Sequence, residues 1–207
     1  MSLGALFPKN DTGAGQLVAA MNKAVNFANR YGVLVISAAG NDGVDLQHAG
    51  NLISVPAESG SGLAVSATGP VGFALGATNF DRPASYTNYG VSAIKVSAPG
   101  GDFALPGDAL CTRPIKPSGS ITRPCWVFDM VLSTSRGPAT SVTSYSWAAG
   151  TSMAAPAAAA VAAIIKQRNP GISLGALQTS LQRSAIATDP KAFHGTGWVN
   201  ALNACQQ

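Results

Sequence analysis

Two short segments of this 207-residue chain carry residue types that can do covalent chemistry on a carbonyl group. The first is Gly150-Thr-Ser-Met-Ala-Ala-Pro156, which opens an alanine-rich helical run. A serine there lies at the positive end of a helix dipole, among backbone N–H groups that have no intrahelical acceptor and can hold an anion. Pro156 fits the first turn, where its missing N–H leaves no helical bond unmade. Taken alone, Ser152 is better read as an ordinary N-cap. The second segment is Ser37-Ala-Ala-Gly-Asn41, which follows the β-branched run Val33 to Ile36. Ligands of open α/β sheets collect at the carboxyl ends of strands. Asn41 therefore stands where a side-chain amide faces a substrate, and Gly40 removes bulk beside it.

These side chains need a scaffold, and the flanking periodicity supplies one. From Gly15 to Arg30 the apolar residues Leu17, Met21, Ala24 and Ala28, with Val18 and Val25, line one face of an amphipathic helix. Asp11 or Thr12 is available as its cap, and Tyr31-Gly32 ends it. Val33 to Ile36 then reads as a strand buried on both faces. Helix followed by buried strand predicts a parallel α/β sheet. Further strands are expected over Leu63 to Ala67, Ala93 to Val96 and Met130 to Ser133. Helices are expected from about Ser152 to Gln167 and Ser173 to Ser184. The stretch from about 101 to 146 has little periodicity and reads mostly as loop.

In this order the segments resemble the subtilisin-like serine peptidases, the subtilases. Gly150-Thr-Ser-Met-Ala-Ala-Pro156 is similar to that family's nucleophile motif, Ala38-Ala-Gly-Asn41 to its oxyanion segment, and Met1-Ser-Leu-Gly4 to its substrate-binding edge. Weaker matches are Pro56-Ala57, Ala84-Ser-Tyr-Thr-Asn-Tyr-Gly90, Ala98-Pro-Gly100 and the closing Gly195-Thr-Gly-Trp-Val-Asn-Ala201. The resemblance implies a three-layer αβα fold with a mostly parallel sheet, here incomplete at its N-terminus. It makes residues 1–207 a partial catalytic domain with a long insertion at about 101–146. It also implies endopeptidase chemistry through an acyl-enzyme on Ser152, with Asn41 binding the oxyanion. Ser2, Leu3, Gly4, Ala39 and Gly40 would then bind a peptide or protein substrate as an added strand.

One departure stands out. A subtilase also needs an Asp and a His, in motifs that precede the Ser-Leu-Gly edge, so both are expected upstream of Met1. The chain's own missing N-terminal segment thus becomes an expected partner. Asp11-Thr-Gly13 and His194-Gly-Thr-Gly197 imitate those motifs but stand after the edge, in the wrong order for a triad. Asp11 is read as a helix cap, His194 as part of the closing segment, and His48 as a surface-loop residue. The alternative function is a catalytically inactive, peptide-binding pseudoenzyme or fragment. An esterase fits less well, because Gly150-Thr-Ser-Met-Ala154 lacks the second glycine of a Gly-x-Ser-x-Gly elbow.

Composition narrows the classes further. Hydrophobic residues make up 46% and charged residues 11%, against roughly 25% charge in ordinary soluble domains, which excludes a disordered chain. The net charge of +4 comes from thirteen scattered Lys and Arg without a cluster, so no nucleic-acid surface is expected. The apolar run from Met153 to Ile165 is too short to span a bilayer, and no membrane association is expected. No signal peptide is visible at the start. Cys111 and Cys125 read equally as a disulfide or as reduced thiols. The family's usual extracellular setting favours pairing and implies an extracellular or extracytoplasmic location. The family often binds calcium, but no dense carboxylate cluster offers a site, so no metal or cofactor is assigned.

Overall fold

The structure, a computed structural model, describes residues 1–115, 119–135 and 144–207. In chain order its first elements are strand β1 (Ala5–Pro8), helix α1 (Thr12–Arg30), and strands β2 (Ile36–Ala38), β3 (Leu52–Val55), β4 (Leu63–Thr68) and β5 (Ile94–Pro99). Strands β2, β4 and β5 form a parallel sheet in that spatial order, with Ile36 opposite Leu63 and Ala67 opposite Ala98. β1 and β3 form a separate antiparallel ribbon.

Period-two alternation gives the parallel sheet two buried faces. One carries Ile36, Leu63, Val65, Ala67, Val96 and Ala98. Helix α2 (Thr151–Arg168) lies on it through Ala154, Ala158, Val161, Ala162 and Ile165, spaced at three and four residues. Alanine at the contact lets the helix backbone approach closely. Behind α2, helices α3 (Leu174–Ser184) and α5 (Ala201–Ala204) add Leu177, Leu181 and Ala204 to the same core. The opposite face meets the short helix α4 (Lys191–His194), where Ser66 Oγ donates to the Phe193 carbonyl and Ser97 Oγ bonds His194 Nδ1 at 2.8 Å. Helices on both faces of a parallel sheet give the expected α/β layering.

Four expectations change. α1 starts earlier than Gly15, because Asp11 Oδ1 accepts from the Ala14 N–H at 2.8 Å and caps it there. Of its predicted apolar stripe only Val25 is buried, and Leu17 remains exposed. Side-chain amides anchor the helix instead: Asn22 Oδ1 accepts from Gly60 N–H at 2.7 Å and Asn26 Oδ1 from Ser61 N–H at 3.2 Å. The strand predicted at Val33 begins only at Ile36, where pairing to β4 begins, and Val33 is 53% exposed. Pro156 is the sixth residue of α2 rather than a first-turn residue, so the Ser152 carbonyl loses its helical donor.

The segment read as loop is largely structured. Strands β6 (Leu110–Pro114) and β7 (Ser120–Pro124) pair antiparallel, a 3-10 turn follows over Cys125–Asp129, and β8 (Val131–Ser135) pairs with β9 (Ser144–Ala148). Residues 116–118 and 136–143 of that segment lie outside the described residues. Period-two alternation is weak here because these two-stranded ribbons are mostly solvated on both sides. The ribbons hold position by other means. Cys111 and Cys125 form a disulfide and pack with Ala74, Leu105 and Phe128 in a small core. The buried Asp129 carboxylate accepts from Gly72 N–H at 2.8 Å and Phe73 N–H at 2.7 Å. Cys205 is free and exposed.

Among the described residues no helix is long and apolar enough to cross a membrane.

Candidate active site

The turn after β2 brings Gly40 and Asn41 to where the sheet's carboxyl ends open, and the start of α2 reaches the same place. Thr151 joins the two. Its N–H and its hydroxyl both donate to Asn41 Oδ1, at 2.9 and 2.8 Å, and its hydroxyl oxygen accepts from Gly40 N–H at 3.1 Å. A backbone N–H can only donate, so the amide atom facing Thr151 must be the oxygen. Asn41 Nδ2 is therefore the end turned away from Thr151. Among the described residues nothing accepts from it. Ser152 N–H is the second amide of α2, one of the donors that a helix leaves free at its N-terminus.

Ser152 Oγ donates to the Ser2 carbonyl at 3.2 Å. Met1 and Ser2 lie beside β2, where Ala38 N–H donates to the Met1 carbonyl at 3.0 Å and the Met1 amine to Ile36. Burial lowers the pKa of that amine. This placement carries Ser2, Leu3 and Gly4 past Ser152 and into the β1–β3 ribbon. A cavity of about 400 Å³ opens there, lined by Leu3, Gly4, Leu6, Gly40, Asn41, Asp42, Ser54, Thr151 and Ser152 among others. Leu3 is exposed and borders this space instead of filling a core.

Five of the seven residues singled out in the sequence thus line one cavity, and Ser2 meets it through its carbonyl. Ala39 does not reach it. It is fully buried behind the wall with Ala57, Ala64 and Ile94. Its carbonyl accepts from Ser54 Oγ at 3.1 Å and Asn88 Nδ2 at 3.0 Å. Sequence reading missed Thr151, Ser54, Asp42 and Asn88. Thr151 and Asp42 adjoin Ser152 and Asn41 in the chain, and adjacency was the available signal for them. Ser54 comes from a distant segment and had none, whereas Asn88 falls in the family-like stretch Ala84 to Gly90, which marked the segment but not this residue.

Neither histidine approaches Ser152 Oγ within hydrogen-bonding distance. His48 is exposed and bonds Asp45 through Nδ1 at 2.7 Å, which lowers the Asp45 pKa. His194 is fully buried on the other side of the sheet, with Nδ1 on Ser97 and Nε2 without a partner among the described residues. Asp11 is spent on the α1 cap. Among the described residues no group of three or more His, Cys, Asp or Glu side chains converges to hold a metal ion.

The comparison with known proteins agrees with this geometry. A model of the subtilase family matches residues 1–199. M-protease of Shouchella clausii is 32% identical over 183 residues, covering 88% of this chain and 35% of that protein. The extracellular protease of Xanthomonas campestris is 30% identical over 195 residues, covering 93% of this chain and 26% of that protein. The crystal structure of a lanthipeptide protease superposes with a TM-score of 0.74 at 26% identity, over 100% of this chain and 60% of that one. The chain thus spans 35% and 26% of the length of these two relatives. A serine at the head of an alanine-rich helix, an oriented asparagine after a parallel strand and a match over 199 residues together place this chain in the subtilase family.

Proposed function

We propose that the chain is the C-terminal portion of an extracellular serine endopeptidase, with Ser152 as nucleophile and the triad's Asp and His supplied by a segment upstream of Met1. A substrate peptide lies in the cavity as an extended strand against Ser2, Leu3 and Gly4. Ser152 Oγ attacks the scissile carbonyl carbon and gives its proton to the imidazole, while the carbonyl electron pair moves onto oxygen. Asn41 Nδ2 and Ser152 N–H donate to that oxyanion. Collapse of the tetrahedral intermediate breaks the C–N bond, and the amine leaves with the proton from the imidazole. Water then hydrolyses the acyl-enzyme through the same two donors.

The observation that carries this reading is the oriented Asn41. Its oxygen is held by Thr151, which leaves its N–H₂ end without an acceptor among the described residues, and Asn41 and Ser152 line the same cavity of about 400 Å³. Without an imidazole, Ser152 stays a weak neutral alcohol. The test is hydrolysis of a chromogenic peptide by the chain extended upstream, beside the isolated 207 residues and Ser152→Ala in each. Turnover is expected only in the extended protein and is lost with Ser152→Ala. Comparable turnover by the isolated chain would refute the division of the triad.

A second reading, a peptide-binding protein without catalysis, is favoured by one observation. Ser152 Oγ is engaged with the Ser2 carbonyl, on the segment read as the peptide-binding edge. Labelling by a fluorophosphonate separates the two, because only an activated Ser152 reacts quickly.

A further inference from the structure

We propose that Asn88 is a positioning residue for the Asn41 amide, an inference that rests on reading Asn41 as an oxyanion donor. Asn88 is 0% exposed. Its Nδ2 donates to the Ala39 carbonyl at 3.0 Å, and its Oδ1 accepts from Asp42 N–H at 2.9 Å and Val44 N–H at 3.0 Å. Its own N–H donates to the Gly40 carbonyl at 3.0 Å. One buried residue thus bonds the backbone on both flanks of Asn41, from 39 to 44. The fit is tight: Gly40 has φ +106°, and a Cβ there would overlap the Asn88 amide nitrogen.

The brace is itself fixed to the sheet. Thr87, the preceding residue, accepts from Ala67 N–H through Oγ1 at 2.9 Å and donates to the Asn88 carbonyl at 3.1 Å. Ala67 belongs to the central strand β4. A rigid path therefore runs from the core through Thr87 and Asn88 to the turn that carries Asn41. Thr151 sets which end of the Asn41 amide faces the cavity, and Asn88 sets where its backbone stands. An oxyanion donor acts through sub-ångström placement, and a shift of about 1 Å costs on the order of 10²-fold in rate.

The experiment is a double-mutant cycle in the full chain with its upstream segment, using Asn88→Ala, Asn41→Ala and the pair, with kcat, KM and the unfolding midpoint measured for each. Asn88→Ala is expected to lower kcat by roughly 10- to 100-fold with KM within about twofold. In the Asn41→Ala background it should cost nothing further in kcat, because a misplaced donor and an absent one are equivalent. An equal loss in both backgrounds, or an unchanged kcat, overturns the inference. Should Asn88→Ala not fold, Asn88→Ser, which keeps a neutral hydroxyl but is too short to bridge Ala39 and Val44, enters the same cycle. If neither folds, Asn88 serves stability alone and the inference fails. An inactive parent overturns the proposed function and this inference with it, whereas an active parent with an insensitive Asn88 overturns only the latter.

Discussion

Ser152 Oγ and the Ser2 carbonyl oxygen, 150 positions apart in sequence, meet at 3.2 Å. The contact ties the first turn of α2 to the segment that borders the cavity. It also shows where the hydroxyl proton points when no imidazole is beside it. A neutral imidazole nitrogen placed beside Ser152 would compete with the Ser2 carbonyl as acceptor for that proton.

Replacing Asn41 by Ala in the upstream-extended protein should lower kcat by about 10² to 10³ and leave KM nearly unchanged, because the lost donor acts in the transition state. Thr151→Val removes one of the two bonds to Asn41 Oδ1 and should cost less, since the Thr151 N–H remains. Steady-state kinetics on one peptide substrate ranks the two. A Thr151→Val effect larger than that of Asn41→Ala would contradict this orienting role.

Asp11→Ala should destabilise the fold by about 1 kcal/mol, the usual cost of a lost N-cap, without altering turnover. Urea unfolding gives the first quantity and peptide hydrolysis the second. A loss of turnover approaching that of Ser152→Ala would make Asp11 a catalytic acid in spite of its place in the chain.

His194 predicts a pH dependence of stability. Burial holds its imidazole below the ordinary value of 6.5, with the charges of Asp81 and Asp189 opposing the shift in part. On acidification the unfolded chain takes up this proton first. The stabilisation is therefore complete above about pH 6.5 and is lost as the pH falls below it. Unfolding midpoints from pH 8 to 5 should fall more steeply for the parent than for His194→Gln, and turnover should survive in the variant. Parallel curves would remove the prediction.

Alkylation of the folded protein under non-reducing conditions should modify Cys205 and leave Cys111 and Cys125 untouched, as mass mapping would report. Cys111→Ser with Cys125→Ser should lower stability by about 3 kcal/mol, the chain-entropy value for a loop of this length. Labelling of all three cysteines before reduction would reject the bridge.

The central elements were legible in the sequence because their causes are local. The Asp11 cap, the alanine-rich run of α2 and the short apolar runs at Leu63 and Ile94 each follow from neighbouring residues. So did Ser152 and Asn41, which sit at the ends of such elements. β8 was expected at Met130 to Ser133, but its partner β9 and the β6–β7 ribbon escaped notice because mostly solvated strands carry little of the alternation that burial imposes. Ser54, and the contacts of Asn88 within its family-like stretch, were invisible for another reason. Each acts through hydrogen bonds to the 39–44 turn, and nothing in their own surroundings in the chain points to it. The apolar stripe of α1 illustrates the converse, since periodicity says which face is apolar but not how much of it is covered. Residue type and spacing determined which groups could react in this protein. Only tertiary packing decided which way the Asn41 amide points, because that depends on Thr151, 110 positions away, donating to its oxygen.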